Sequence, residues 1–192
     1  MAVPRLARIE GYAIVSADGM LANAAGVMPP ELKIEADQRF FHGSLERADA
    51  VVHGRHSHEG GPKASVRPRL IVTRRVVAIA PHPDNPKAVL WNPAGAAFED
   101  AWGALGIPGG VLAVIGGTEI FGLFLGIGYD AFYLTRADHV HLPGGRPVFP
   151  EVPALTPEEV LRRRGLRPGP KRVLDAEKDV ILVTWEPSRA SI

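Results

Sequence analysis

Apolar and polar positions along this chain switch between a two-residue and a three-to-four-residue period, and the switches set the expected elements. Residues 9–16 form a short apolar run closed by the turn-forming Ser16-Ala17-Asp18-Gly19, the pattern of a buried strand. After a loop through Pro29-Pro30, the residues Leu32, Ala36, Phe40, Phe41 and Leu45 recur at helical spacing, which predicts one helix over 31–47 with a single buried face. Residues 50–52 and 69–73 read as strands, with two short ones at 76–80 and 88–91 around the proline-rich loop 81–86. Helix 94–105, strand 111–115, helix 118–125 and strand 129–137 follow in alternation. Thr156 ahead of Pro157 marks a helix start for 156–164, and 171–175 pairs with 180–185 as a hairpin. The whole predicts an α/β fold: a central, mostly parallel mixed sheet with flanking helices, closed by a C-terminal antiparallel hairpin.

Composition narrows the class. A length of 192 residues suits one domain over 1–192, and 46% apolar with 22% charged residues is the balance of a globular chain rather than a disordered or fibrous one. With 22 basic and 21 acidic residues the net charge is +1, so neither nucleic acid nor an acidic membrane is an expected partner. The chain has no cysteine, which removes disulfides, thiolate catalysis and cysteine-type metal sites together. Arg5, Arg8 and Glu10 interrupt the apolar start, and no stretch approaches the roughly 20 apolar residues of a membrane helix; the cytoplasm is the expected location.

Candidate chemistry gathers where strands run into loops. Ile115-Gly116-Gly117-Thr118 joins a strand to a helix start, where glycine lets backbone amides approach a phosphate; a plain tight turn explains the same pair equally well. It is not a GxGxxG run, so a Rossmann site is not indicated. Val52-His53-Gly54-Arg55-His56-Ser57 and Val72-Thr73-Arg74-Arg75 bring arginine, histidine and hydroxyl groups to two further strand ends, the side of an open α/β sheet at which ligands bind. Asp37 stands one helical turn before Phe41, a carboxylate and a ring on one face.

In order and spacing these segments resemble the dihydrofolate reductase-like superfamily: Ser16-Ala17-Asp18-Gly19-Met20-Leu21-Ala22, residues 37–41, Val52 to Ser57, Ile71-Val72-Thr73-Arg74, Val114-Ile115-Gly116-Gly117, Tyr133-Leu134-Thr135 and Val148-Phe149-Pro150. The resemblance implies a reductase using NADPH. By it, Gly54, Arg55, His56 and Ser57 bind cofactor phosphates, Thr73 and Arg74 lie near the adenosine 2′-phosphate, and Ile115, Gly116, Gly117, Thr118 and Glu119 approach the pyrophosphate and nicotinamide across a cis Gly116–Gly117 bond. Asp37 would be the ring-binding acid with Thr135 as its hydroxyl partner. Ala13, Phe41 and Phe121 would wall the slot, Ala13 and Phe121 also touching the cofactor, and Arg67 would grip a substrate's acidic tail. The expected substrate is a pterin such as dihydrofolate, with 16–30 as a lid.

Other readings stay open. A one-residue shift of the helix would put Gln38 in place of Asp37, favouring the ribosylamino-pyrimidine reductase of riboflavin synthesis, whose start and whose Ala48-Asp49-Ala50-Val51 are also similar. A relative that binds NADPH without catalysis would keep the phosphate cradles alone. The set His53, His56, His58, Glu59, His139 and His141, the last two taken as one strand face, offers a metal-dependent hydrolase instead. The exposed edge of the closing hairpin is a candidate homodimer contact.

Overall fold

The computed structural model describes residues 7–57 and 63–188. Eleven strands and four α-helices follow in the order β1 (Ala7–Ser16), β2 (Met20–Ala22), α1 (Glu35–Arg47), β3 (Ala50–Gly54), β4 (Arg69–Val72), β5 (Ile79–Pro81), β6 (Ala88–Trp91), α2 (Phe98–Ala104), β7 (Gly110–Val114), α3 (Thr118–Ile127), β8 (Ala131–Ala137), β9 (Arg146–Pro147), α4 (Pro157–Arg163), β10 (Leu166–Asp175) and β11 (Val180–Pro187). Nine strands build one sheet in the order β10-β11-β8-β1-β7-β3-β4-β6-β5. Pairing is parallel from β8 through β6 and antiparallel at both edges, by β11 and β10 on one side and β5 on the other. This is the expected α/β architecture with its C-terminal hairpin, and β5 adds a second antiparallel edge.

The two faces of the sheet are covered unequally. Leu45 of α1, with Phe40 and Phe41 beside it, packs against Tyr12, Val51 and Ala113 on one face. The other face carries the main core, where Phe98 and Trp102 of α2, Phe121 and Phe124 of α3 and Leu161 of α4 meet Val52, Leu70, Trp91, Val114 and Phe132. Each large side chain buried there contributes about 1.5–3 kcal/mol over leaving it in water.

Departures from the sequence expectation have local causes. The helix expected over 31–47 begins at Glu35, after a separate 3-10 turn at Pro30–Leu32. Leu32 and Ile34 are both buried in the same small cluster with Ile14 and Val140. A continuous helix cannot point residues two apart at one target. The helix expected from 94 begins at Phe98, because 92–96 binds the 76–78 segment instead: Asn92 N donates to Ala78 O (2.7 Å) and Asn92 Nδ2 to Val76 O (2.9 Å). β10 starts at Leu166 rather than 171, with a register shift between Pro168 and Lys171 that an edge strand tolerates because one side needs no partner.

Thr156 caps α4 as expected, in a full capping box with Glu159. Thr156→Ala is therefore expected to lower stability by about 1 kcal/mol in urea denaturation, without moving any property of the distant cleft.

Candidate functional site

One large cleft, about 1990 Å³, runs along the carboxyl ends of β1, β7, β3 and β4, between α1 on one side and α3 on the other. That is where an open α/β sheet offers a crevice, because the chain leaves neighbouring strands in opposite directions. Asp37, Thr135, Ala13, Gly54, Arg55, His56, Ser57, Thr73, Arg74, Ile115, Gly116, Gly117, Thr118, Glu119, Phe121 and Phe41 all line it. Arg67 does not: its side chain is 6% exposed, its Nη2 lies 3.9 Å from Glu46 Oε1, and it points along the far end of α1. Arg67 thus lies just beyond the lining, beside the C-terminal end of α1.

At one end of the cleft, Asp37 projects from the first turn of α1 toward β8, and the Thr135 hydroxyl donates to its carboxyl. Asp37 is 9% exposed and Thr135 1%, whereas Gln38 faces solvent at the rim, so Asp37 is the acid that reaches inside. Burial raises the Asp37 pKa from the usual carboxylate range to about 6, and the Thr135 hydrogen bond offsets part of that rise.

Four rings that the sequence reading did not combine form the wall beside this acid. Tyr12 and Tyr133 sit opposite each other on neighbouring strands and stack at 4.8 Å with 5° between planes. Phe40 lies 5.5 Å from Tyr133 and Phe41 6.2 Å from Tyr12. The signal available in the sequence was the two-residue period that places Tyr12 and Ile14 on the face opposite Ala13.

The other end is a backbone cradle with cations around it. The Gly116–Gly117 bond is cis, and Gly116 holds φ +109°, a conformation that favours glycine, with Phe121 a tight 3.1 Å from where a Cβ would stand. At Gly117, the N-cap of α3, open space lies where a side chain would be, and α3 has no side-chain cap. Arg55, His56, Arg74 and Arg75 reach the same region from the ends of β3 and β4, all exposed. Bare glycine backbone at a helix start, with exposed guanidinium groups lining the same cleft, fits a polyphosphate ligand such as a dinucleotide.

The 16–30 loop forms the roof with Leu21, Ala22, Ala25 and Gly26. Asp18 anchors its base, accepting from Ser16 Oγ (2.5 Å) and Leu142 N (3.0 Å), and Asn23 Oδ1 folds its tip by accepting from Ala25 N and Val27 N, each at 3.0 Å.

The histidine set does not converge. His53 Nδ1 bonds the Gly54 carbonyl (2.8 Å) and its Nε2 faces Arg69 Nη1 (3.3 Å), which occupies both ring nitrogens. His139 and His141 are exposed in the turn after β8, not on a strand face, while His58 and Glu59 lie outside the described residues. Among the described residues no three histidines or carboxylates are grouped as metal ligands, and no helix is long and apolar enough to cross a membrane.

A nine-stranded mixed sheet with this strand order, flanked by helices and with a cleft at the strands' carboxyl ends, defines an open α/β protein. More narrowly, the chain has the dihydrofolate reductase-like fold. A protein assigned to riboflavin biosynthesis from Shewanella sp. PV-4 superposes with TM-score 0.64 at 18% identity, over 95% of this chain and 99% of that one. Dihydrofolate reductase from Enterococcus faecalis, complexed with NADP(H) and RAB-propyl, gives TM-score 0.62 at 16% identity, over 94% and 96%. The Thermotoga maritima diaminohydroxyphosphoribosylaminopyrimidine deaminase/5-amino-6-(5-phosphoribosylamino)uracil reductase gives 0.61 at 15% identity; 94% of this chain is covered, but only 56% of that longer one. No family model and no curated protein matches the sequence.

The raised pKa of Asp37 has a consequence for stability. A carboxyl easier to protonate in the folded than in the unfolded chain costs nothing below about pH 4, destabilises progressively up to about pH 6, and above that the penalty is constant. At roughly 1.4 kcal/mol per pH unit the penalty is at most about 3 kcal/mol. Asp37→Asn is expected to be more stable than the parent in urea denaturation near pH 8 and indistinguishable from it near pH 4; a parent more stable at the higher pH contradicts the burial argument.

Proposed function

We propose that the chain is an NADPH-dependent reductase that passes a hydride to a flat amino-heterocycle, a pterin such as dihydrofolate being the first candidate. The observation that carries the reading is a buried acid, Asp37 bonded to Thr135, in a cleft that is also lined by a glycine pair at a helix start and by exposed arginines. The shared fold of the NADP(H)-bound Enterococcus faecalis enzyme supports the cofactor assignment.

In this reading Gly54, Arg55, His56 and Ser57 hold the cofactor's phosphates, and Thr73 and Arg74 the adenosine 2′-phosphate. Ile115, Gly116, Gly117, Thr118 and Glu119 lie along its pyrophosphate and nicotinamide, with Ala13 and Phe121 against the ring. When bound, NADPH supplies the hydride. The protein supplies alignment and a dry site. The Asp37 carboxyl receives the amino and ring N–H groups of the heterocycle, Thr135 fixes the orientation of that carboxyl, and Phe41 covers the ring. The 16–30 loop closes over both ligands and keeps bulk water out, while the proton needed at the reduced nitrogen comes from solvent at the cleft, its uptake favoured at low pH where Asp37, with a pKa raised to about 6, is protonated. A second reading, reduction of a ribosylamino-pyrimidine, is favoured by the match to the riboflavin-pathway proteins.

The test is NADPH oxidation, followed by absorbance, with dihydrofolate and with the ribosylamino-pyrimidine; turnover of neither by a protein that binds NADPH overturns the proposal. Because imine reduction consumes a proton, the rate is expected to fall as pH rises through about 6, and Asp37→Asn to lose that limb together with at least about a hundredfold in rate. Arg74→Ala is expected to weaken NADPH about tenfold or more while leaving NADH nearly unchanged, measured by fluorescence titration, since a charged contact to the extra phosphate is worth about 1.5–3 kcal/mol.

A further inference from the structure

The sheet face under α1 continues beyond that helix. α1 packs over Tyr12, Val51 and Ala113. Strand register carries the same face outward: Val51 pairs with Arg69, and His53 with Ile71, which pairs in turn with Leu90. Laterally paired residues point to one side of a sheet, so Arg69, His53, Ile71 and Leu90 make a common floor on β3, β4 and β6. That floor belongs to a second cavity of about 420 Å³, with the 82–85 loop on one side. Arg55, Thr73 and Arg75 line both this cavity and the main cleft, so the two meet at the carboxyl ends of β3 and β4.

The side chains around the cavity suit an oxyanion. Arg69 is 8% exposed, a costly place for a guanidinium, and two contacts fix its plane: Nη1 faces His53 Nε2 at 3.3 Å and Nη2 donates to Ala64 O. His53 Nδ1 donates to the Gly54 carbonyl, which leaves its Nε2 as the acceptor for Arg69. In the 82–85 loop, His82 Nδ1 accepts from Asp84 N at 3.1 Å, which leaves the ring proton on Nε2 as a donor. Arg55 and Arg75 bring two further guanidinium groups, both exposed and able to swing onto a ligand. Guanidinium forks offer paired donors to paired oxygens, the geometry of phosphate recognition. Ile71, Leu90 and Pro83 add an apolar surface beside them. A water takes up about 30 Å³, so 420 Å³ holds a body well beyond a single oxyanion.

We propose that this cavity is a second binding site, for a small phosphate monoester with a compact ring or apolar body. The phosphate lies against Arg69, Arg55 and Arg75, and the body against Ile71 and Leu90. Because Arg55 and Arg75 also line the cleft, a phosphate here and the phosphates of NADPH draw on the same cations, and each weakens the other. The cavity's own ligand does not depend on the reductase reading; only its antagonism with NADPH does.

The probes are phenyl phosphate and inorganic phosphate, titrated calorimetrically into the full chain. Phenyl phosphate is expected to fill one site, and Arg69→Met to weaken it about tenfold or more, the scale of one lost charge-assisted hydrogen bond. His82→Ala, which leaves the strands untouched, weakens it as well, whereas Arg74→Ala, which alters the cleft alone, does not. Inorganic phosphate binds more weakly for want of the apolar contact. Phenyl phosphate raises the Kd of NADPH to a plateau, and NADPH raises that of phenyl phosphate by the same factor, as linkage between two sites requires. No binding of phenyl phosphate, or binding that Arg74→Ala abolishes and Arg69→Met and His82→Ala leave intact, overturns the proposal. So does an NADPH Kd that climbs without a plateau, since the probe then sits in the cleft; an NADPH Kd that does not move overturns the antagonism. Failure to bind NADPH, with phenyl phosphate still sensitive to Arg69→Met and His82→Ala, overturns the reductase reading and leaves the second site standing.

Discussion

β1 is flanked by two parallel strands, β7 paired with its first half at Ala7–Gly11 and β8 with its second half at Glu10–Ser16, and the contents of the cleft are positioned relative to that strand. The pairing Ile14 with Thr135 brings the hydroxyl partner of Asp37 level with the carboxyl end of β1, and the pairing Tyr12 with Tyr133 makes the stacked wall one step below. On the other side, β7 enters the cis glycine pair directly, so the phosphate cradle emerges beside the same strand end. A register slip of one residue would turn every one of these side chains to the opposite face.

The cleft also shows a division of labour between stability and chemistry. The face carrying α2, α3 and α4 is densely aromatic, with Phe132 within 5.6 Å of Phe121 and 5.2 Å of Phe149 between ring centres. Asp37 lies on the other, thinner face, where its burial is unfavourable once ionised and the Thr135 bond repairs only part of the loss. A group kept against its own preference, in a cleft, is where a protonation role is most reasonably sought.

Fold and substrate separate sharply here. The solved structures that share this architecture include proteins acting on different rings, at identities of 15–18%, so the fold alone does not select among them. Substrate choice has to rest on local features of this chain, among them the rings at Tyr12, Phe40, Phe41 and Tyr133 beside Asp37.

The sequence by itself determined the order of strands and helices, the α/β class, the closing hairpin, the capping box at Thr156 and the three glycine- or arginine-bearing strand ends, because each follows from short-range periodicity and turn chemistry. It did not determine the break between Leu32 and Glu35, which depends on both Leu32 and Ile34 being drawn into one cluster by Ile14 and Val140 from distant parts of the chain. Nor could it choose between Asp37 and Gln38, since adjacent helical positions differ only in which neighbour they meet. The tertiary structure decided that choice by setting α1 against β8, turned Arg67 toward Glu46, separated His139 and His141 from His53, and stacked Tyr12 on Tyr133 across 121 residues of sequence. Those outcomes rest on strand register and helix rotation, which are fixed by packing between segments far apart in the chain and leave no trace in local spacing.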